Sequence, residues 1–224
     1  MRLDAVLKIG GSLSRGDGLP ELCAEIGRLG GTFRLVVVPG GGAFADEVRR
    51  MYRKYRLGET AAHSMALLAM DQYGHLVHHL IEGSVLETRP ESARRTAASG
   101  RVAVLLPSAL VLRTSGLPHC WQVTSDTVAA WVAREAGCPR LVLLKDVDGL
   151  MPPEGAGGAS PGCIGEMTVG QLAGHAGGVD AYLSRFLASA AMETWIVSGL
   201  KPARLKALLR SGTTTGTRIR PQVR

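Results

Sequence analysis

Lysine, aromatic residues and cysteine are all scarce in this 224-residue chain, and long apolar runs are missing. Aromatics make up only 4% and no RNA- or DNA-binding motif appears, although Tyr52 and Tyr55 interleave with the basic stretch Arg49–Arg56. The four cysteines, Cys23, Cys120, Cys138 and Cys163, form no C-x-x-C pair, which argues against zinc and for reduced thiols. No stretch approaches the ~18 consecutive apolar residues of a membrane-spanning helix. Met1-Arg2-Leu3-Asp4 leads straight into an apolar run, so no signal peptide is expected and the cytoplasm is the expected location. There is no internal repeat. At this length, with 46% hydrophobic and 20% charged residues, one sizeable core is expected.

The lysine shortage is informative. Of 26 basic residues only five are lysine, namely Lys8, Lys54, Lys145, Lys201 and Lys206, which leaves 21 arginines. Lys8 and Lys145 stand at the ends of Leu3-Asp4-Ala5-Val6-Leu7 and Leu141-Val142-Leu143-Leu144, which read as buried strands. Lys8 opens into Ile9-Gly10-Gly11-Ser12. Glycines lacking Cβ let backbone N–H groups approach an anion, and a lysine adds a point charge, so phosphate is the expected guest. A second strand, Arg34–Val38, runs into Pro39-Gly40-Gly41-Gly42 and then a helix from Ala43 to Tyr55. Strand, triple glycine and helix N-terminus again make an anion-receiving geometry. Two such clusters in the first 42 residues argue for one shared phosphate site. The formal charge of +7 suits an anionic small substrate. The arginines are scattered, and the densest patch, Arg49–Arg56, reads as a solvated helix face, so no nucleic-acid partner is expected.

Further along, Leu19–Leu29 has helical spacing and stops at Gly30-Gly31. A long helix is expected from Thr60 to Ile81, containing His63, Asp71, Gln72, Tyr73, His75, His78 and His79, with most of these polar residues on its exposed side. His63 and His75 lie too far apart, on a helix too poor in carboxylates, for a metal site. Val102–Leu106 reads as a strand. Asp126 begins an apolar helix running to Ala133 and can act as its cap or as something more. Pro152–Gly165 reads as a mobile loop. Helices near Val169–Gly174 and Val179–Ala190, a strand Thr194–Ser198 and a helix Pro202–Arg210 complete the alternation. Alternating strands and helices predict a mostly parallel sheet covered on both faces, with ligands beyond the carboxyl ends of the strands. Both glycine clusters and both strand-end lysines fall there.

Taken in order, Lys8-Ile9-Gly10-Gly11-Ser12, Gly40-Gly41-Gly42, Ser125-Asp126-x-x-Ala129, Asp146-Val147-Asp148-Gly149 and Gly216-Thr217-Arg218-Ile219 resemble the amino acid kinase family. The resemblance covers the whole chain. It implies a three-layer α/β/α sandwich, a single domain over residues 1–224, with an acceptor-binding half at about 1–120 and a nucleotide-binding half at about 121–224. It also implies transfer of the γ-phosphoryl group of ATP, with Mg²⁺, to a phosphorylated or carboxylate small molecule, and a homo-oligomer. Lys8 would hold the transferred group, while Gly10, Gly11 and Gly41 donate backbone N–H bonds. Asp126 would hold the lysine in place. Ser12, Lys145, Asp146, Asp148 and Gly149 would contact the nucleotide, and no metal ligand from the protein is implied. Such chemistry rests on positioning and charge stabilisation rather than on a nucleophile.

One departure matters. Relatives carry a second lysine a few residues beyond a glycine pair, but here Gly177-Gly178-Val179-Asp180-Ala181-Tyr182 has Tyr182 in its place. Lys145 is the substitute that the sequence offers. Met70-Asp71-Gln72-Tyr73-Gly74, the chain length and Lys145-Asp146-Val147-Asp148-Gly149 are similar to the kinases of methanofuran biosynthesis, which phosphorylate 5-(aminomethyl)-3-furanmethanol phosphate. His63 lies where isopentenyl phosphate kinases place a histidine on the substrate phosphate. The acceptor would then meet Gly40, Gly41, Gly42 and His63, with Asp71 on its ammonium. Other acceptors (an amino acid carboxylate, isopentenyl phosphate, a nucleoside monophosphate) stay open, as does a non-catalytic nucleotide- or oxyanion-binding role.

Overall fold

The computed structural model describes residues 2–152 and 162–221, so most of the glycine- and proline-rich stretch lies outside the described residues. The strands are β1 (Ala5–Ile9), β2 (Leu35–Pro39), β3 (Val85–Glu87), β4 (Ala103–Leu105), β5 (Arg140–Lys145), β6 (Glu166–Thr168), β7 (Glu193–Ser198) and β8 (Thr217–Arg220). They form one eight-stranded sheet in the order β3-β4-β2-β1-β5-β7-β8-β6. Every neighbouring pair is parallel except β7 with β8. The mostly parallel sheet is therefore as expected, with an antiparallel join near one edge.

The middle strands are apolar throughout because helices cover both of their faces. Side chains alternate between two cores. Ala5, Leu7 and Ile9 of β1 pack with α1 (Leu19–Gly30) and α9 (Pro202–Ser211). Val6 points the other way, into a core shared with α4 (Pro90–Ala98), α6 (Ser125–Glu135) and α8 (Leu183–Ala188). Helix, sheet and helix make the three layers. The remaining helices are α2 (Gly42–Tyr55), α3 (Glu59–Leu80), α5 (Ser108–Thr114) and α7 (Val169–Ala173). Lys8 shares the parity of Val6, and Lys145 that of Leu141 and Leu143, which belong to the same core. Both lysines therefore face α6. The register seals this, since Lys8 sits opposite Leu143 on β5.

Some details differ from the sequence expectation. On α3, His63 and Tyr73 are buried rather than solvated, since they turn toward the neighbouring helix and the sheet. The helix expected over Val179–Ala190 is confined to Leu183–Ala188, because Asp180 gives its carboxylate to the start of α6 and its N–H to Asp126. β3, α4 and α5 were not anticipated. A three-residue strand and a seven-residue helix leave too few positions for a periodic signal.

Candidate active site

Two strand ends build the floor of a cleft. After Ile9 the chain enters a 3₁₀ turn, Gly11–Arg15, and after Pro39 it enters α2. The Gly10 N–H donates to the Leu144 carbonyl at 2.8 Å and the Gly40 N–H to that of Ile9 at 2.9 Å, which ties both glycine turns to the sheet edge. The turns also touch each other. A Cβ on Gly11 would lie 2.5 Å from the Gly42 nitrogen and 2.9 Å from its Cα. Gly42 itself takes φ +55° and rests on the Tyr73 ring. The two clusters are thus one backbone surface, and any side chain at Gly11 would pry it apart.

Beside that surface lies a buried charge cluster. Asp126 Oδ1 is 2.8 Å from Lys8 Nζ, and Asp126 Oδ2 is 2.7 Å from Lys145 Nζ. Lys8 is 4% and Asp126 3% exposed, so water screens little of this interaction. Burial works against the Asp126 carboxylate, but the flanking Lys8 and Lys145 outweigh it and hold the group down at about 2. Burial lowers Lys8 from its ordinary value, with the charge of Lys145 adding to the effect and Asp126 opposing it. The cluster carries one surplus positive charge, aimed at the cleft.

Asp126 is not the cap of α6. That task falls to Asp180, whose carboxylate accepts from the Thr124 N–H at 3.1 Å, the Thr127 N–H at 2.8 Å and both threonine hydroxyls. Its own N–H donates to Asp126 Oδ2 at 3.3 Å. Burial raises the Asp180 carboxyl, the nearby Asp126 charge adds to this, and the bonds from Thr127 and Thr124 oppose it. Freed from capping by a residue 54 positions away, Asp126 turns to the two lysines.

The cleft encloses about 910 Å³. Lys8, Gly10, Gly11, Ser12, Gly41, Gly42, Asp126, Lys145 and Asp146 line it, together with Arg15, Arg49 and residues Gly178 to Ala181. A narrower pocket of about 80 Å³ adjoins it between α2 and α3, lined by His63, Met70, Arg49, Glu59 and Trp121 among others. The Trp121 ring is flanked by the Arg49 guanidinium at 5.6 Å and meets Tyr52 edge-on at 5.2 Å. The His63 imidazole stacks on His119 at 4.8 Å, and burial, reinforced by the charge of His119, keeps it below its ordinary value.

The sequence model of the amino acid kinase family matches residues 5–207. The chain belongs to the amino acid kinase family. It is 26% identical over 215 residues to the [5-(aminomethyl)furan-3-yl]methyl phosphate kinase of Methanocaldococcus jannaschii, covering 96% of each protein. Its fold is similar to that of uridylate kinase from Archaeoglobus fulgidus, with a TM-score of 0.75 at 20% identity over 98% of this chain and 100% of the other. UMP kinase from Bacillus anthracis superposes with a TM-score of 0.76 at 13% identity, over 100% of this chain and 98% of the other.

In this amino acid kinase family member, the fold gathers most of the predicted residues at the cleft and leaves several aside. Gly40 is sealed against Gly11 and Ile9 beneath the glycine turn. Asp148 is held by Lys201 at 3.0 Å and Arg204 at 2.7 Å, and Gly149 packs tightly against Thr217 and Cys163. Neither lines the cleft. Asp71 accepts hydrogen bonds from the Ser108 N–H and hydroxyl at the start of α5, away from the pocket. Tyr182 packs against the α6-side core with Arg185 over its ring at 5.5 Å. Asp180, Trp121 and Glu59 were not singled out beforehand, and Arg49, expected on a solvated helix face, lines the cleft and the pocket. For Asp180 a signal existed, an aspartate just beyond a glycine pair. The others come from three separate segments, and nothing local marks them as neighbours.

Proposed function

We propose that this chain transfers the γ-phosphoryl group of ATP to the phosphate of a small phosphomonoester, 5-(aminomethyl)-3-furanmethanol phosphate. The observation that carries this reading is the pair of lysines clamped on buried Asp126 beside bare glycine backbone. That donor set fits a polyphosphate: cations without competing water, and N–H groups with no Cβ in the way. Among the described residues there is no group of three or more His, Cys, Asp or Glu suited to a metal ion. Magnesium would therefore be held mainly by the nucleotide's phosphates, with Asp146 a carboxylate on the cleft wall. Bound ATP supplies the transferable phosphoryl group.

The protein's part is placement and charge. Lys8 would hold the transferring group from the strand end, and Gly10, Gly11 and Gly41 would orient its oxygens through N–H donors. Lys145 would stand on the departing nucleotide in place of the lysine absent at Tyr182. Asp126 would keep both lysines charged and aimed, since removing its carboxylate leaves them to repel each other. The halves at about 1–120 and 121–224 would then serve acceptor and nucleotide.

The acceptor reading is supported by the 26%-identical relative and by the side pocket. The pocket opens onto the cleft beside Gly41, Arg49 and Trp121, and its inner space of about 80 Å³ offers a seat for a compact group of the acceptor. His63 would meet the acceptor there. The test is an ADP-release screen over small phosphomonoesters, nucleoside monophosphates and amino acids. The furan phosphate is expected to give kcat/KM at least about tenfold above the others. Equal or better turnover of UMP would refute the acceptor, and no acceptor-stimulated ADP release would refute the enzyme.

A further inference from the structure

The side pocket holds one carboxylate, and nothing described so far uses it. Glu59 opens α3 and shares a face with His63, Ala66 and Met70, so this face lines the pocket from Glu59 inward. Eleven residues separate Glu59 from Met70, about 16 Å along the helix axis. One end of this run carries Glu59. Glu59 and Trp121 also line the cleft, which carries Lys8 and the glycine backbone, so both stand where pocket and cleft meet. Glu59 is exposed and makes no hydrogen bond or ion pair among the described residues, although Arg49 lines the same pocket. Arg49 is engaged elsewhere, bonded to Asp46 at 2.8 Å and stacked over Trp121. An unpaired carboxylate on a wall shared with an indole ring, opening onto Lys8 and bare glycine backbone, is the complement of a molecule with phosphate at one end and a cation at the other.

We propose that Glu59 is the specificity-determining residue that selects a protonated amine on the acceptor, with Trp121 as the platform for the acceptor's flat ring. This rests on the phosphomonoester reading of the site and adds the group that distinguishes one such ester from another. A first-turn glutamate also favours the positive end of a helix dipole. That role alone would alter stability and leave selectivity untouched, so the two are separable.

The experiment compares two acceptors with the full chain in the ADP-release assay, 5-(aminomethyl)-3-furanmethanol phosphate and its analogue with methyl in place of aminomethyl. An ion pair to an exposed carboxylate corresponds to about 2–5-fold in selectivity. The wild-type protein is expected to favour the amine by that factor in kcat/KM. Glu59→Gln should bring the ratio close to one, mainly through KM for the amine, and Glu59→Asp should restore part of it. An unchanged ratio in Glu59→Gln, or no preference in the wild-type protein, overturns the role of Glu59 alone. If neither furan is phosphorylated, the acceptor reading fails and this inference falls with it.

Discussion

Replacing Asp126 by asparagine tests the charge cluster most sharply, because the side chain keeps its shape and loses only its charge. Two ammonium groups, each within 2.8 Å of that carboxylate, would be left facing one another in a buried site. Breaking a buried ion pair from one side costs about 3–5 kcal/mol, against about 0.5–2 kcal/mol for losing a helix cap. For a chain of this size that corresponds to a fall of about 6–20 °C in melting temperature. The double variant Lys8→Met with Asp126→Asn removes one of the stranded charges and should be less destabilised than the sum of the singles, by about 2 kcal/mol.

The pH dependence gives a second handle. Holding the carboxyl at about 2 rather than 3.8 corresponds to about 2 kcal/mol, present above pH 3.8 and lost as pH falls toward 2. That acid limb should be missing from Asp126→Asn. In the variant, Lys8 lacks its partner and its folded-state value falls further below the unfolded one. The folded chain then binds fewer protons, so the variant should regain stability as pH rises. Thermal melts by circular dichroism between about pH 1.5 and 10 measure all of this. Strictly additive singles, or an unaltered acid limb, would refute the clamp.

Lys8→Met should lower turnover by about 10²–10³-fold while the melt shows a folded protein, since one preorganised charge on the transferring group is lost. Lys145→Met should reduce kcat more than it raises KM for the acceptor; a rise confined to KM for ATP would make Lys145 a binding group only. Gly11→Ala should abolish activity and destabilise the fold, because its Cβ meets Gly42 backbone at 2.5 Å, whereas Gly16→Ala, with nothing within 4 Å, should behave as wild type.

The parts of the site that local chemistry dictates were legible in the sequence. Ile9-Gly10-Gly11 and Pro39-Gly40-Gly41-Gly42 announce bare backbone at strand ends, and the alternation of strand and helix predicts which sheet edge they share. Lys8 and Lys145 could be singled out because each ends an apolar run in a chain that otherwise prefers arginine. Asp71 illustrates the limit. A carboxylate on a long helix near a candidate histidine is a natural partner for an ammonium, yet its angular position on α3 carries it to Ser108 and not into the pocket.

What the sequence determined by itself, then, is the α/β alternation of the fold, the glycine-rich strand ends and the two strand-end cations. Each of these follows from residue type and short-range periodicity. Only the tertiary structure decided what Asp126 does. Its helix needs a cap, and both roles fit the local pattern until Asp180 arrives from the turn after Gly178 to take the N–H groups of α6. Likewise the pocket of Glu59, His63 and Trp121 arises where α3 meets the chain entering α6. Contacts between residues so far apart are set by how two helices pack on one sheet, and no local spacing encodes them.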